Sequence, residues 1–463
     1  MPAARTLASV WAAKAAAKAS QTLRRGGGTA ASGLVGLWLN PRLIRDLAAQ
    51  IGAGRVVITG TNGKTTTALL IGEAARAAGL APLANSSGSN LTRGIASALA
   101  LAAGADGSLE EAERRLGVFE VDEATMTQAL PELKPAVVVF TNLFRDQLDR
   151  FGEVEMVAER WRAVIAAAPA DLHLIVNADD PSVASLAEGR DRVTYFGVED
   201  RDLHTGAPDH ASDALFCRCR ARLQYDAAFY GHIGHWSCPN CGRKRPEPDV
   251  TARRVELGDG HRARFQLKSH GAETTLQLET GGLYNVYNAL AAAAAAEALG
   301  LPRAAIETAL TSTGPAFGRQ EAFDIDGRRV EVYLGKNPAS LNQVLSTALL
   351  DQARETALII LNDGIADGRD ISWIWDADFE LAVGRLKRVV VSGTRAAEMA
   401  LRLKYAEWDE ATIEVVPEVS AALDRALGAT PEGGCLTIIP TYTAMLTVRE
   451  LLAARAGKEP YWR

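Results

Sequence analysis

The sequence predicts an α/β fold: a central domain on a parallel, doubly wound sheet with a phosphate-binding loop, then a second α/β domain of Rossmann-like pattern. Three observations predict it. From Arg55 onward, short β-branched runs alternate with Ala-rich stretches long enough for helices, the pattern of parallel strands joined by crossover helices. The first such unit, RVVITGTNGKTTTALLI from Arg55, sets a glycine turn between strand and helix. After Gly314 the alternation restarts, so the 463 residues divide into more than one core.

Taken in order, the start MPAARTLASVWAAKAAAKASQTLRRGGG is cationic and Ala-rich. It lacks the unbroken apolar block of a secretory signal, which predicts a cytoplasmic protein. Leu7, Val10, Trp11 and Ala15 fall near one helical face, with Lys14, Lys18, Arg24 and Arg25 beside it. That reads as a helix docked on the protein's own core; the alternative is attraction to an anionic membrane surface. A break at Gly26-Gly27-Gly28 separates it from 34–50, read as one further helix, so that 1–50 forms an N-terminal helical segment. The central domain, 51–313, is expected to have strands at 56–59, 117–121, 136–141 and 173–177, with functional side chains at their carboxyl ends. Between about 200 and 253 the pattern gives way to polar, Cys- and aromatic-bearing sequence, and a helix at 285–299 resumes it. The C-terminal α/β domain, 314–463, shows strand-like runs at 329–333, 357–361, 388–392, 413–416 and 436–439.

Composition excludes several classes. A net charge of −6 without any long Lys/Arg run argues against nucleic acid. No apolar stretch approaches the ~20 residues that span a bilayer, so no transmembrane segment is expected. With 48% apolar and 23% charged residues, the chain reads as an ordinary globular protein.

The glycine turn, Gly60-Thr61-Asn62-Gly63-Lys64-Thr65-Thr66, has the parts a triphosphate needs. Glycines let backbone N–H groups close on an anion, and the following helix points its positive end at it. Lys64 would reach the β/γ-phosphates and the Thr65 hydroxyl would hold Mg²⁺. The loop is shorter than the usual form, because Ile58 stands where the first glycine belongs. A plain strand–turn–helix is the competing reading; the Gly-Lys-Thr at this junction speaks for a nucleoside triphosphate.

Four of the five cysteines cluster as Cys217-Arg218-Cys219 and Cys238-Pro239-Asn240-Cys241-Gly242. Two close thiolate pairs suit tetrahedral Zn²⁺ in a structural, zinc-ribbon-like insertion at about 213–245, with His232 and His235 as substitute ligands nearby. Cys435, in a strand-like run, reads as a buried small apolar residue.

Glu120 ends the strand VFEVDEAT, beside the phosphate loop, and is the expected Mg²⁺ carboxylate. Strand alternation puts Asp122 on its face and Glu123 on the other. Later strands end in Thr141-Asn142-Leu143-Phe144-Arg145-Asp146-Gln147 and Asn177-Ala178-Asp179-Asp180-Pro181, positions for ligand contacts or for helix caps.

Together, TGTNGKTTT, FEVDE, TNLFRDQLDRFG, VNADDP, GLYNVYNALAA and FGRQE resemble the Mur ligase family of ATP-dependent amide-forming enzymes of peptidoglycan synthesis, in family order across most of the chain. The resemblance implies a central ATPase domain and a C-terminal domain that closes over the nucleotide. Two departures narrow it. Amino-acid-adding members carry a histidine where Gln147 stands, and they lack the four-cysteine insertion. With LGKNPAS and LNDGIADGRDISWIWDADFE, the chain looks like the family's amidating branch, the ligase subunits of lipid II isoglutaminyl synthases.

That likeness implies a carbon–nitrogen ligase using ATP, Mg²⁺ and structural Zn²⁺. Its partner would be a glutamine amidotransferase subunit of GatD type in a heterodimer, with lipid II at the inner membrane face as substrate. Residue by residue it implies Lys64 and Thr65 at the phosphates and Mg²⁺, Glu120 at Mg²⁺, Asn285 at the nucleobase and Arg319 reaching the nucleotide from the domain junction. Asp370 would complete a Cys–His–Asp triad across the subunit interface, ahead of Asp363, Asp367, Asp376 and Asp378. The alternatives are a Mur-type or folylpolyglutamate-type ligase that adds a whole amino acid, and a nucleotide-binding scaffold without catalysis.

Overall fold

The computed structural model describes residues 4–22, 29–85, 89–146, 153–258, 260–348 and 354–457. Arg24, Arg25, Gly26 to Gly28 and Gln147 lie outside the described residues.

The first sheet is built from β1 (Arg55–Thr59), β2 (Ala81–Ala84), β3 (Arg115–Glu120), β4 (Val137–Phe140), β5 (His173–Asn177) and β6 (Val193–Val198). A short hairpin follows, β7 (Gln224–Tyr230) and β8 (Ile233–Ser237), and then β9 (Val250–Glu256), β10 (Ala263–Ser269) and β11 (Ala272–Leu278) complete the sheet. The order is β11-β10-β9-β6-β5-β4-β1-β3-β2, parallel from β2 through β9 and antiparallel across β9, β10 and β11.

Burial follows from residue choice. β4, Val-Val-Val-Phe, is buried throughout, as parallel strands covered on both faces must be. In β1, Val56 and Ile58 face one core and Val57 the other, the period-two alternation of a strand. One core is capped by the helices Lys64–Ala77 and Leu283–Ala298, the second of which buries its alanine run almost completely. Small side chains there let helix and sheet approach closely. Across the sheet, Trp161 of the helix Val154–Ala166 is fully buried and packs on Phe140, ring centroids 5.2 Å apart.

The second sheet comprises β12 (Arg319–Ile325), β13 (Arg328–Tyr333), β14 (Thr356–Ile360), β15 (Arg388–Ser392), β16 (Ile413–Val415) and β17 (Cys435–Pro440), in the order β12-β13-β17-β14-β15-β16. Only the β12–β13 hairpin is antiparallel. Cys435 is buried in β17.

Two expectations for the N-terminal segment are corrected. The single helix over 34–50 is two, Thr29–Leu39 and Leu43–Ala48. Pro41 disfavours helical geometry at Asn40, whose side chain turns to accept the Arg42 N–H at 3.0 Å. In the helix Ala4–Thr22 the inward face is Thr6, Ser9, Val10, Ala13 and Ala17, while Trp11 and Ala15 face outward. Small residues win the inside because the next helix approaches through its own glycines: a Cβ on Gly36 would meet Leu43 and Ala13. Among the described residues no helix is long and apolar enough to cross a membrane.

Candidate functional site

The loop after β1 is shaped by two glycines. Gly60 has φ +137°, and a Cβ there would stand 2.0 Å from the Thr141 hydroxyl; Gly63 has φ +89°, and its Cβ would stand 2.1 Å from Asn288 Oδ1. Neither position accommodates a side chain without strain. The Thr61 N–H donates to Asn142 O at 2.9 Å and the Asn62 N–H to Asn142 Oδ1 at 2.9 Å, so the strand end after β4 braces the loop.

Lys64 opens the helix Lys64–Ala77 and is buried. Its Nζ donates to the carbonyls of Gly60 and Thr61 and to Glu123 Oε2 at 3.2 Å. The Thr65 hydroxyl donates to Glu120 Oε2 at 2.8 Å. Asn85 fixes Glu120 from behind, accepting its N–H at 2.9 Å and donating to its carbonyl at 2.8 Å. Glu123 departs from the alternation argument. β3 ends at Glu120, so the chain beyond it turns and returns Glu123 to the same loop, while the Asp122 carboxylate accepts the Ala124 N–H in that turn.

The second domain supplies the opposite wall. Arg319 lines both a cavity enclosing about 710 Å³ of open space, with Asn62, Asn288, Tyr230 and Tyr284, and an adjoining one of about 510 Å³ with Lys64, Thr65, Asn90 and Glu120. Its Nη1 is buried without a partner among the described residues, and burial pulls its guanidinium below the ordinary value while Glu120 opposes the shift. Lys336, from LGKNPAS, lines both cavities too and pairs with Asp146 Oδ2 at 2.5 Å. Burial pushes the Asp146 carboxyl above its usual range; the Lys336 ammonium opposes this and the Glu123 charge adds to it. Asn337 Nδ2 donates to Asn62 Oδ1 at 3.1 Å, closing the domains over the loop.

Sequence reasoning did not find Lys336 or Asn288. Asn288 lies one turn past Asn285 on a helix whose rotation the sequence does not fix. Asn285 itself is buried, donating to Gly281 O at 2.8 Å, with Gln320 Oε1 at 3.4 Å. Lys336 reaches Asp146 only because two domains fold together across 190 residues.

The four sulfurs of Cys217, Cys219, Cys238 and Cys241 lie within 4.8 Å of one another. Soft thiolates at that spacing fit a tetrahedral metal. The Asn240 amide and the Ala221 N–H hold the Cys219 thiol down to about 6, whereas Cys241, although the Arg243 backbone lowers it, is pushed up to about 12 by burial and the other three sulfurs. His232 and His235 are not substitute ligands. His232 is fully buried against Asp180 and accepts the Asp213 N–H at 3.1 Å, and His235 Nε2 lies 2.8 Å from Val198 O.

Asp370 is exposed, and among the described residues its carboxylate accepts only the Ser372 N–H, at 2.8 Å. Its neighbours are all engaged by side chains: Asp363 with Arg395, Asp367 with Thr443, Asp376 with Arg145 and Asp378 with His210.

Residues 58–218 match the Mur ligase middle domain and residues 334–445 the MurT ligase C-terminal domain. Over 443 residues the chain is 34% identical to the lipid II isoglutaminyl synthase (glutamine-hydrolyzing) subunit MurT of Staphylococcus aureus (strain COL), spanning 95% of this chain and 96% of that one. The chain belongs to the MurT branch of the Mur ligases. A second MurT, from Streptococcus pneumoniae (strain ATCC BAA-255 / R6), is 34% identical over 93% of this chain and 94% of its own. Solved structures share the fold of this MurT-branch chain. A pseudomurein peptide ligase type C from Methanothermus fervidus superposes with TM-score 0.66 at 24% identity, over 89% of this chain and 81% of that one. MurF from Acinetobacter baumannii does so with 0.66 at 19%, over 92% and 81%.

Proposed function

We propose that this chain is the ligase subunit of a lipid II isoglutaminyl synthase. It would amidate the α-carboxyl of D-glutamate in the lipid II stem peptide to D-isoglutamine, with ATP and with ammonia released from glutamine by a GatD-type partner. The observation that carries the reading is the Thr65–Glu120 contact at 2.8 Å in the cavity also lined by Arg319, whose Nη1 is buried and without a partner among the described residues. Two hard oxygen donors fit Mg²⁺, and an orphaned guanidinium nitrogen in a cavity fits an anion. The four-cysteine cluster is assigned to structural Zn²⁺ on its donor set.

A carboxylate is a poor acyl donor, and phosphorylation by ATP gives it a leaving group. Lys64 and Arg319 would neutralise the phosphates and hold the γ-phosphoryl in line with the attacking carboxylate, so that positioning and electrostatics carry the transfer. Mg²⁺, when bound, adds charge neutralisation. Ammonia then attacks the acyl carbon and phosphate leaves. Asn288, Tyr230 and Tyr284 shape the larger cavity, assigned here to the nucleoside.

Partner dependence is supported by the exposed side chains of the segment that carries Asp370 and of Tyr405, which packs on that segment. Ile365 is 81% exposed and Tyr405 69%, and Trp375 stacks edge-on against Tyr405 at 5.5 Å. An exposed carboxylate held by one backbone N–H, in a segment with exposed apolar side chains, suits a subunit interface. The deciding experiment incubates the purified complex with lipid II, ATP and either glutamine, ammonium salts or single amino acids, and reads the product by mass spectrometry. Carboxylate-to-amide conversion is expected with both nitrogen sources, and addition of a whole amino acid would refute the reading. Lys64→Ala is expected to abolish amidation from either source while still co-purifying with the partner.

A further inference from the structure

We infer that the N-terminal helical hairpin, Ala4–Thr22 with Thr29–Leu39, is a docking face for an anionic phospholipid surface. The hairpin is held to the body by its small residues: Ser9, Ala13 and Gly36 meet between the two helices, and a Cβ on Gly33 would stand 1.7 Å from Arg93 O. Packing through small residues sends the large apolar ones outward. Trp38 is 80% exposed, Leu34 62% and Trp11 55%. Leu34 and Trp38, four residues apart, share one helical face.

The charge fits the same occupant. Residues 1–50 hold seven Lys/Arg against one carboxylate, Asp46, a net +6 in a chain whose total is −6. Arg5, Lys18 and Arg42 are exposed there. Exposed indoles seat at the level of lipid headgroups, and each basic residue near an anionic leaflet adds attraction that salt screens. The face proposed above for the protein partner lies in the C-terminal domain, at the exposed pair Trp375 and Tyr405. The position is also apt: Gly33 abuts Arg93, three residues from Asn90, which lines the cavity of Lys64 and Glu120. Lipid docking does not rest on the amidation reading, because vesicles without lipid II test it.

The test is co-sedimentation of the full chain, in complex with its glutaminase subunit, with vesicles of phosphatidylcholine alone or mixed with phosphatidylglycerol. Binding to the mixed vesicles is expected to exceed that to phosphatidylcholine by about tenfold and to be released by salt. Leu34→Ser with Trp38→Ser, and separately Arg5→Glu with Arg42→Glu, should each cut the bound fraction about fivefold or more. Ammonium-driven amidation of detergent-dispersed substrate and the elution volume of the complex should stay unchanged. Equal binding to both vesicle types, or variants that bind like the parent, would overturn the inference. So would loss of the glutaminase subunit from the Trp38→Ser protein, which would make this face a protein interface.

Discussion

At the scale of single residues, the site depends on charges placed by backbone geometry. Lys336 lines both cavities, with Asp146 as its ion-pair partner, and on the proposed reading its charge would act on the reacting phosphoryl group. Lys336→Ala is expected to lower kcat about 10²–10³-fold, with affinity for ADP, measured by calorimetry, nearly unchanged. A parallel loss of ADP affinity would make it a nucleotide-binding residue only. Gly63 makes a different prediction. At φ +89°, with Asn288 Oδ1 2.1 Å from where its Cβ would lie, Gly63→Ala should cost about 1–3 kcal/mol and push Asn288 into the larger cavity. Both the melting temperature and ATP affinity should fall, the latter about tenfold for each 1.4 kcal/mol. The Gly-Lys-Thr turn and Glu120 were legible because strand ends collect function and their spacing is local. Lys336 was not, since its partner lies in another domain, and neither was Glu123, whose return to Lys64 depends on where β3 stops.

At the scale of elements, strands buried on both faces were the most readable. Val137–Phe140 and Arg388–Ser392 announce themselves by runs of three valines. The edge meander was missed although β10, Ala-Arg-Phe-Gln-Leu-Lys-Ser, alternates buried and exposed residues cleanly; the irregular stretch before it obscured a period-two signal. That stretch holds the β7–β8 hairpin, whose Ala227, Phe229, Tyr230 and Ile233 join the central core, while around the cysteines only Ala184, Leu223, Trp236, Cys217 and Cys238 pack together, a patch small enough for a metal staple to matter. Trp236 Nε1 donates to Ala178 O at 3.0 Å, and Tyr230 of the same hairpin lines the larger cavity, so the cluster should matter to the site. Cys238→Ser is expected to lose bound zinc, measured by atomic emission. It should also lower Tm by about 5 °C or more, each kcal/mol counting for about 2–4 °C in a domain of this size, and raise KM for ATP. Unchanged Tm and KM in a zinc-free protein would leave the cluster without a structural role.

At the scale of the whole molecule, contacts between the two domains close one cleft, and two surfaces elsewhere in the chain expose apolar side chains. The cleft is drawn shut by Asn337 on Asn62, Lys336 on Asp146 and Arg145 on Asp376. The N-terminal hairpin exposes Trp38 and basic residues, whereas the C-terminal domain exposes Ile365 and Trp375 in the segment of Asp370, with Tyr405 against Trp375. On the proposed reading Asp370 serves the partner, since a carboxylate that accepts one backbone N–H keeps lone pairs for a histidine on another chain. Asp370→Asn keeps the shape and the Ser372 contact but removes the charge that would orient and stabilise an imidazolium. Glutamine-driven amidation should therefore fall at least about a hundredfold, while amidation driven by ammonium salts proceeds at the parent rate, both followed by mass spectrometry of lipid II. Equal loss with the two nitrogen sources would instead put Asp370 in the ligase step, and full activity with both would pass the role to another carboxylate. The other four in this segment are already held by Arg395, Thr443, Arg145 and His210, so freeing any of them for a partner would first require breaking a contact within this chain.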